Sequence, residues 1–292
     1  MERFHLLKII IASVILALSL TGCFSSQQLI MDKATGLFKE ISLSANRQSD
    51  VDLVRQGLPP FLLTIDGLIQ SSPENQDLLL AGAQAYMSYA SLLDEKDSLR
   101  SAQLIHKAKG YALRALELNP LFKGTQEMSL DQFQQKVKET DRNQVVLLFS
   151  VGSIWGTWIA QGPDPVEGMA DLSKVEVLMD RVLDLEPGYY YGSPHLFKGI
   201  LLTARPVQFG GDLQKADWHF QQALRFAKGK FLMTSVYYAQ YYARQKLDRD
   251  LFVRTLEQVL STPADIEPDL TLINTLALQK AKGLLSQVDD FF

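Results

Sequence analysis

The segment ALRALELNP (residues 112–120) returns, in helical character and closing proline, as LMDRVLDLEP (178–187). The two prolines, Pro120 and Pro187, stand about two 34-residue helix-pair units apart, the period of tetratricopeptide arrays. Counting back from Pro120 places Ala108 and Ala115 at small-residue positions, where paired helices approach most closely. Gly211, Ala216, Phe220 and Ala223 share that register, and a further unit fits around Ala239, Tyr242 and Pro263. Ala83 and Tyr86 start an earlier unit whose connection, LLDEKDSLRSA, is longer than usual. The fold expected is all-α: tetratricopeptide-like antiparallel helix pairs stacked in a degenerate solenoid or bundle.

Outward from this segment, helical periodicity persists and no stretch alternates long enough to require a strand. Helices are expected over 51–70, 73–94, 98–118, 130–139, 142–160, 172–185, 194–204, 213–227, 231–245, 249–260 and 269–288. Start signals are Ser72 before Pro73, Ser129 with Gln132, Asp141, and Ser193 before Pro194. The glycine pair in FGGDLQ (209–214) precedes a helix, as phosphate-binding glycines do. No Lys-Ser/Thr follows it, and Asp212 sits where its carboxylate would occupy the N–H groups and repel an anion. Gly210 and Gly211 are read instead as positive-φ positions in a tight turn.

The chain of 292 residues is 47% hydrophobic and 21% charged, a globular balance, with a net charge of −4 that disfavours nucleic acid. Residues 1–22 read as a secretory signal: Arg3 and Lys8, the short apolar run IIIASVILALSL, then small residues. The single cysteine, Cys23, closes LTGC, which resembles the lipobox of bacterial lipoproteins, so Cys23 is the expected lipidation site and membrane anchor. Phe24 after it suggests, by analogy with lipoprotein sorting, an outer-membrane, periplasm-facing protein of a Gram-negative bacterium. Residues 23–50 form the lipidated N-terminus, tether and first helical segment, and 51–292 the helical domain.

No set of residues converges on catalysis. His106, His195 and His219 lack metal-ligand spacing, no nucleophile-elbow serine appears, and no cofactor motif is present. Two aromatic segments are candidates for ligand or partner binding. In GSIWGTWIA, Gly152, Gly156 and Ala160 share one helical face beside Trp155 and Trp158, whose core reading competes with a ligand-lining one. In EPGYYYGSPH, Tyr189, Tyr190 and Tyr191 cannot all face one core, so at least one should reach a groove or partner, close to His195.

The ordered set LTGC, LLLAGAQAYMSYA, GSIWGTWIA, VEVLMDRVLDLEPGYYYGSPHLFKG, ARPVQFGGDLQKADWHFQQAL, VYYAQYYARQKLDRDLF and INTLALQKAKGLL resembles the TRAP transporter TatT component family. The resemblance implies a membrane-tethered accessory lipoprotein of a TRAP-type solute uptake system. It also implies binding to the periplasmic TRAP-type solute-binding protein, assembly as a homotrimer, and an internal path for a small apolar or organic-acid ligand. The competing reading is a tetratricopeptide scaffold in outer-membrane or envelope assembly. A helical hydrolase or lyase would need an acid, base and nucleophile that the sequence does not bring together.

Overall fold

The computed structural model describes residues 36–162 and 165–292; the signal segment and Cys23 lie outside them. Helix α1 occupies residues 36–46, followed by α2 (Val51–Ser71), α3 (Gln76–Ser91), α4 (Ser98–Glu117), α5 (Leu130–Lys138) and α6 (Val145–Ala160). Then come α7 (Pro165–Leu185), α8 (Tyr189–Ala204), α9 (Leu213–Ala227), α10 (Met233–Tyr237), α11 (Arg249–Leu260), α12 (Thr271–Ser286) and α13 (Val288–Phe291). Among the described residues there is no strand, and the fold is all-α. Leu43–Phe292 forms one compact unit; residues 36–42 belong to another and are helical.

Local chemistry sets the helix starts. At α5, Ser129 accepts from the Gln132 N–H while the Gln132 side chain accepts from the Ser129 N–H; before α6, the Asp141 carboxylate accepts from the Asn143 N–H while the Gln144 side chain accepts from the Asp141 N–H. Each reciprocal pair satisfies two donors that a helix end leaves free. The start expected at Ser72–Pro73 moves to Asn75, whose side chain accepts from Leu78 N–H; Ser72 instead ends α2. Helix α7 begins seven residues before the expected Leu172, at Pro165. Helix α10 does not run on as regular α-helix but passes into a π-helical turn, Tyr238–Ala243.

Consecutive helices pack as pairs, α3 on α4, α6 on α7, α8 on α9 and α11 on α12, and small residues let them close. Ala108, Ala112 and Ala115 are fully buried along α4. A Cβ on Gly152 would come within 2.9 Å of Met179 Cε, and one on Gly199 within 2.9 Å of Phe220 Cδ2. Ala160, expected on the glycine face, is exposed. Helix α6 is apolar on nearly every side because it packs against α4, α7 and α3.

The stack then closes on itself. Leu272 of α12 joins Val51 and Val54 of α2 and Leu92 in one buried cluster, with Arg47 2.6 Å from Asp269 beside it. An open array would leave these apolar faces in water, at roughly 25 cal/mol per Å².

The FGG turn serves the backbone, in two different ways. Gly210 has φ +93°, whereas Gly211 is not left-handed; a Cβ on Gly211 would lie 1.9 Å from the carbonyl oxygen of Arg205. Asp212 accepts from the Gln214 and Lys215 N–H groups, as its position predicted, and these bonds hold its carboxyl below the ordinary range. Gly211→Ala is expected to cost about 1–3 kcal/mol, the range of core overpacking, because the clash is with backbone. Gly210→Ala should cost less. Thermal melts of both variants measure the difference, and equal costs would contradict the close-approach argument.

Candidate functional site

The tyrosine segment adopts a conformation that no helical periodicity foretells. Tyr190 (φ 40°, ψ 63°), Tyr191 (φ 58°, ψ 31°) and Gly192 (φ 77°, ψ 21°) form three successive left-handed residues ahead of the regular turns of α8. For residues with a Cβ this costs roughly 1–2 kcal/mol each. Helix α9 packs closely on the turn. Phe226 of α9 fills the space beside both bracketing glycines: a Cβ on Gly188 or Gly192 would lie 2.9 or 2.8 Å from its atoms. Ser193, expected as a helix cap, donates its hydroxyl back to the Tyr190 carbonyl at 2.7 Å and fastens the turn. Pro194 then enters α8, where a missing N–H is harmless.

The turn spreads its rings apart. Tyr189 meets Phe149 edge-on at 5.0 Å, and Tyr190 lies 6.2 Å from Phe149 and 5.7 Å from Phe231. Tyr191 sits 6.0 Å from Phe231 and packs toward the C-terminal core. Tyr190 remains 47% exposed, so the aromatic that cannot face the core is this one. Its partial burial against Phe149 and Phe231 pushes its phenol above the usual value.

Behind the turn, His195 is buried (6% exposed) and its Nδ1 stands 3.0 Å from Nδ1 of His219 on α9. His195 stacks on Phe226 at an interplanar angle of 15° and meets Trp218 edge-on. Burial pushes both imidazoles down to about 4; His219 and then Arg225 act in the same direction on His195, and Lys198 on His219. At neutral pH the pair is uncharged, one ring donating to the other. Sequence spacing gave no reason to join them; the packing of α8 on α9 does. Among the described residues no group of three or more His, Cys, Asp or Glu could hold a metal.

The tryptophan segment lies in the interior. Trp155 is 2% exposed and Trp158 8%. Trp155 Nε1 donates to Asp171 Oδ2 of α7 at 2.6 Å, and Lys109 Nζ of α4 donates to the same oxygen at 3.0 Å. The Lys109 ammonium also sits 3.1 Å above the Trp158 ring centre, a cation–π contact largely out of water. The buried Trp155 indole N–H thus has its acceptor in the Asp171 carboxylate. A second polar group, on α2–α4, has Asp66 accepting from Lys107 at 2.5 Å, Tyr86 at 2.7 Å and Tyr111 at 2.8 Å. These donors outweigh burial and hold Asp66 below the ordinary carboxylate range.

Comparison with known proteins supplies the class. Residues 47–292 match the family described as TRAP transporter T-component. The chain belongs to that family. An uncharacterized protein of Treponema pallidum (strain Nichols) is 24% identical over 266 residues, covering 84% of this chain and 81% of that protein. As a T-component, the chain is an accessory part of a TRAP transport system, and its family is one of transporter components rather than enzymes. Membership associates it with a membrane transport machine, in a membrane-associated or periplasmic setting. The T-component match covers the tyrosine turn, the histidine pair and the Trp–Lys–Asp group alike. Phe149, Phe231, Lys109 and Asp171 were invisible in sequence because each meets its partner only across a helix packing.

Proposed function

We propose that this T-component is a lipid-anchored, tetratricopeptide-like periplasmic protein that docks the TRAP solute-binding protein through its strained tyrosine turn. A small apolar or organic-acid ligand passes against the aromatic group of Tyr189, Tyr190, Tyr191, Phe149 and Phe231. Cys23 supplies the anchor, the protomers assemble as a homotrimer, His195 stacked on Phe226 backs the turn, and Trp155 and Trp158 brace the interior between α4, α6 and α7. The observation that carries the reading is Tyr190: a bulky residue held left-handed at an energetic cost, yet 47% exposed. Strain of this kind persists where the surroundings over-determine it, and it concentrates at binding sites. Exposed tyrosines also make effective interface anchors, since a large contact area is ordered at little entropy cost.

Tyr190→Gly tests this. Glycine relieves the left-handed strain, so the variant is expected to melt within about 1 kcal/mol of the parent. Its affinity for the solute receptor of the same organism is expected to fall at least about tenfold, a hot-spot effect of ~1.4 kcal/mol or more. Unchanged affinity, measured by titration calorimetry, would remove Tyr190 from the interface.

A further inference from the structure

Antiparallel packing brings two turns to one end of the stack: the α8–α9 turn (205–212) and the turn that follows the π-helical segment (244–248). They flank a cleft lined by Arg205 and Pro206 on one side and by Tyr241, Arg244 and Gln245 on the other. Both turns hold large apolar side chains out in water. Val207 is 83% exposed, Phe209 64% and Leu247 75%; Val207 and Leu247 are the two most exposed large hydrophobic side chains among the described residues. Backbone bonds close both turns. The Phe209 N–H donates to the Pro206 carbonyl at 2.9 Å and the Asp212 N–H to that of Leu202 at 3.1 Å. The Leu247 N–H donates to the Arg244 carbonyl at 3.0 Å and the Asp248 N–H to that of Ala243 at 2.9 Å. Leu247 is also left-handed (φ 56°), a conformation that glycine or asparagine adopts more easily, so folding gives no reason for an exposed leucine there.

Clustered apolar exposure marks a contact surface, and the shape of this one favours lipid. The side chains protrude from separate closed turns. A fluid surface closes around each of them, whereas a folded partner would need a matching pocket for every one. Charge points the same way. Lys215 is paired with Asp212, Lys246 with Asp248 and Arg249 with Asp289. One cation remains, Arg244, with its guanidinium 3.9 Å above the Phe291 ring and no carboxylate within salt-bridge distance among the described residues. Asp250 and Asp290, in the first turns of α11 and α13, likewise have no ion-pair partner among those residues. These mixed signs complement the phosphate and ammonium of a zwitterionic headgroup; an anionic leaflet would call for a polybasic cluster instead.

We propose that this end of the protein lies on a zwitterionic phospholipid bilayer, with Val207, Phe209 and Leu247 inserted at the headgroup–acyl boundary and Arg244 at a lipid phosphate. Such binding scales with the apolar area buried and with headgroup attraction. It depends neither on acylation of Cys23 nor on docking at Tyr190.

The test uses the full chain carrying Cys23→Ser, which cannot be acylated there, with one thiol introduced by Gln208→Cys between the protruding side chains and labelled with the fluorophore NBD. On vesicles of phosphatidylcholine and phosphatidylethanolamine the label is expected to shift to the blue and to be quenched by doxyl-labelled lipid. The same label at Leu63→Cys, exposed midway along α2, should show neither effect. Because the readout is local, attachment through another segment does not imitate it. Val207→Ser combined with Leu247→Asn should lower the quenching several-fold at an unchanged melting temperature, since neither side chain is buried and asparagine accepts the left-handed turn. Added phosphatidylglycerol should change the quenching by less than about twofold, and a gain of about tenfold would overturn the zwitterionic match. An unquenched label at position 208, equal quenching at position 63, or parental quenching in the double variant would overturn the proposal. So would a label that responds to the solute receptor and not to vesicles, which would make this end a protein interface.

Discussion

Asp171→Leu is expected to lower stability by about 3–5 kcal/mol, the cost of breaking a buried ion pair by removing one partner. Asp171 Oδ2 accepts from both Lys109 Nζ and Trp155 Nε1, and both partners are largely out of water. The substitution therefore removes the carboxylate beside an interior ammonium and the acceptor of an interior indole at once. For a unit of this size the melting temperature should fall by roughly 10 °C. Asp171→Asn, which keeps an oxygen for the indole but loses the charge, should fall in between. Pairing Asp171→Leu with Lys109→Met should restore part of the loss, because an apolar pair can replace a buried ion pair at little cost. A melt of Asp171→Leu within ~1 kcal/mol of the parent would show that the group is effectively hydrated.

The second large effect is on pH. His195 and His219 are both held at about 4, against 6.5 for a free imidazole. Between those values the unfolded chain binds more protons than the folded one, so stability must rise with pH and fall on acidification. The loss begins as the pH drops through 6.5 and is complete below about 4. One full shift is worth on the order of 3 kcal/mol; the pair contributes less than twice that, since His219 keeps some contact with solvent. Chemical denaturation at pH 7, 5.5 and 4.5 measures the slope. His219→Gln, which can still bond His195 but does not titrate in this range, should flatten it by about half. A stability flat from pH 6.5 to 4.5 would refute the buried neutral pair.

Local rules carried a large part of the fold. The apolar spacing of α4, α9 and α11 marks one face of each helix, and Ala108, Phe220 and Phe252 are fully buried where that spacing puts them. Caps at Ser129, Asp141 and Asp212 followed from side-chain oxygens placed next to unpaired N–H groups. Misplacements arose where two local signals competed. Ser72–Pro73 resembles a helix start, but Asn75 caps better because its side chain reaches Leu78 N–H. At Ser193–Pro194 the hydroxyl serves the preceding turn instead of the helix. Gly211 needs the absence of a Cβ, not positive φ, and only the position of the Arg205 carbonyl reveals it.

The sequence by itself determined the all-helical class and the family, the first because helical periodicity and caps are local signals and the second because it rests on an ordered set of segments along the chain. It also singled out the tyrosines as too many aromatics for one core. Tertiary structure alone decided which of them stays outside, since the glycines that bracket the turn pack directly on Phe226, more than 30 residues along the chain. It likewise brought His195 to His219, Trp155 and Lys109 to Asp171, and α12 back to α2. Such pairings depend on how whole helices pack, and the energy that selects a packing is spread over many side chains instead of being written at any one position.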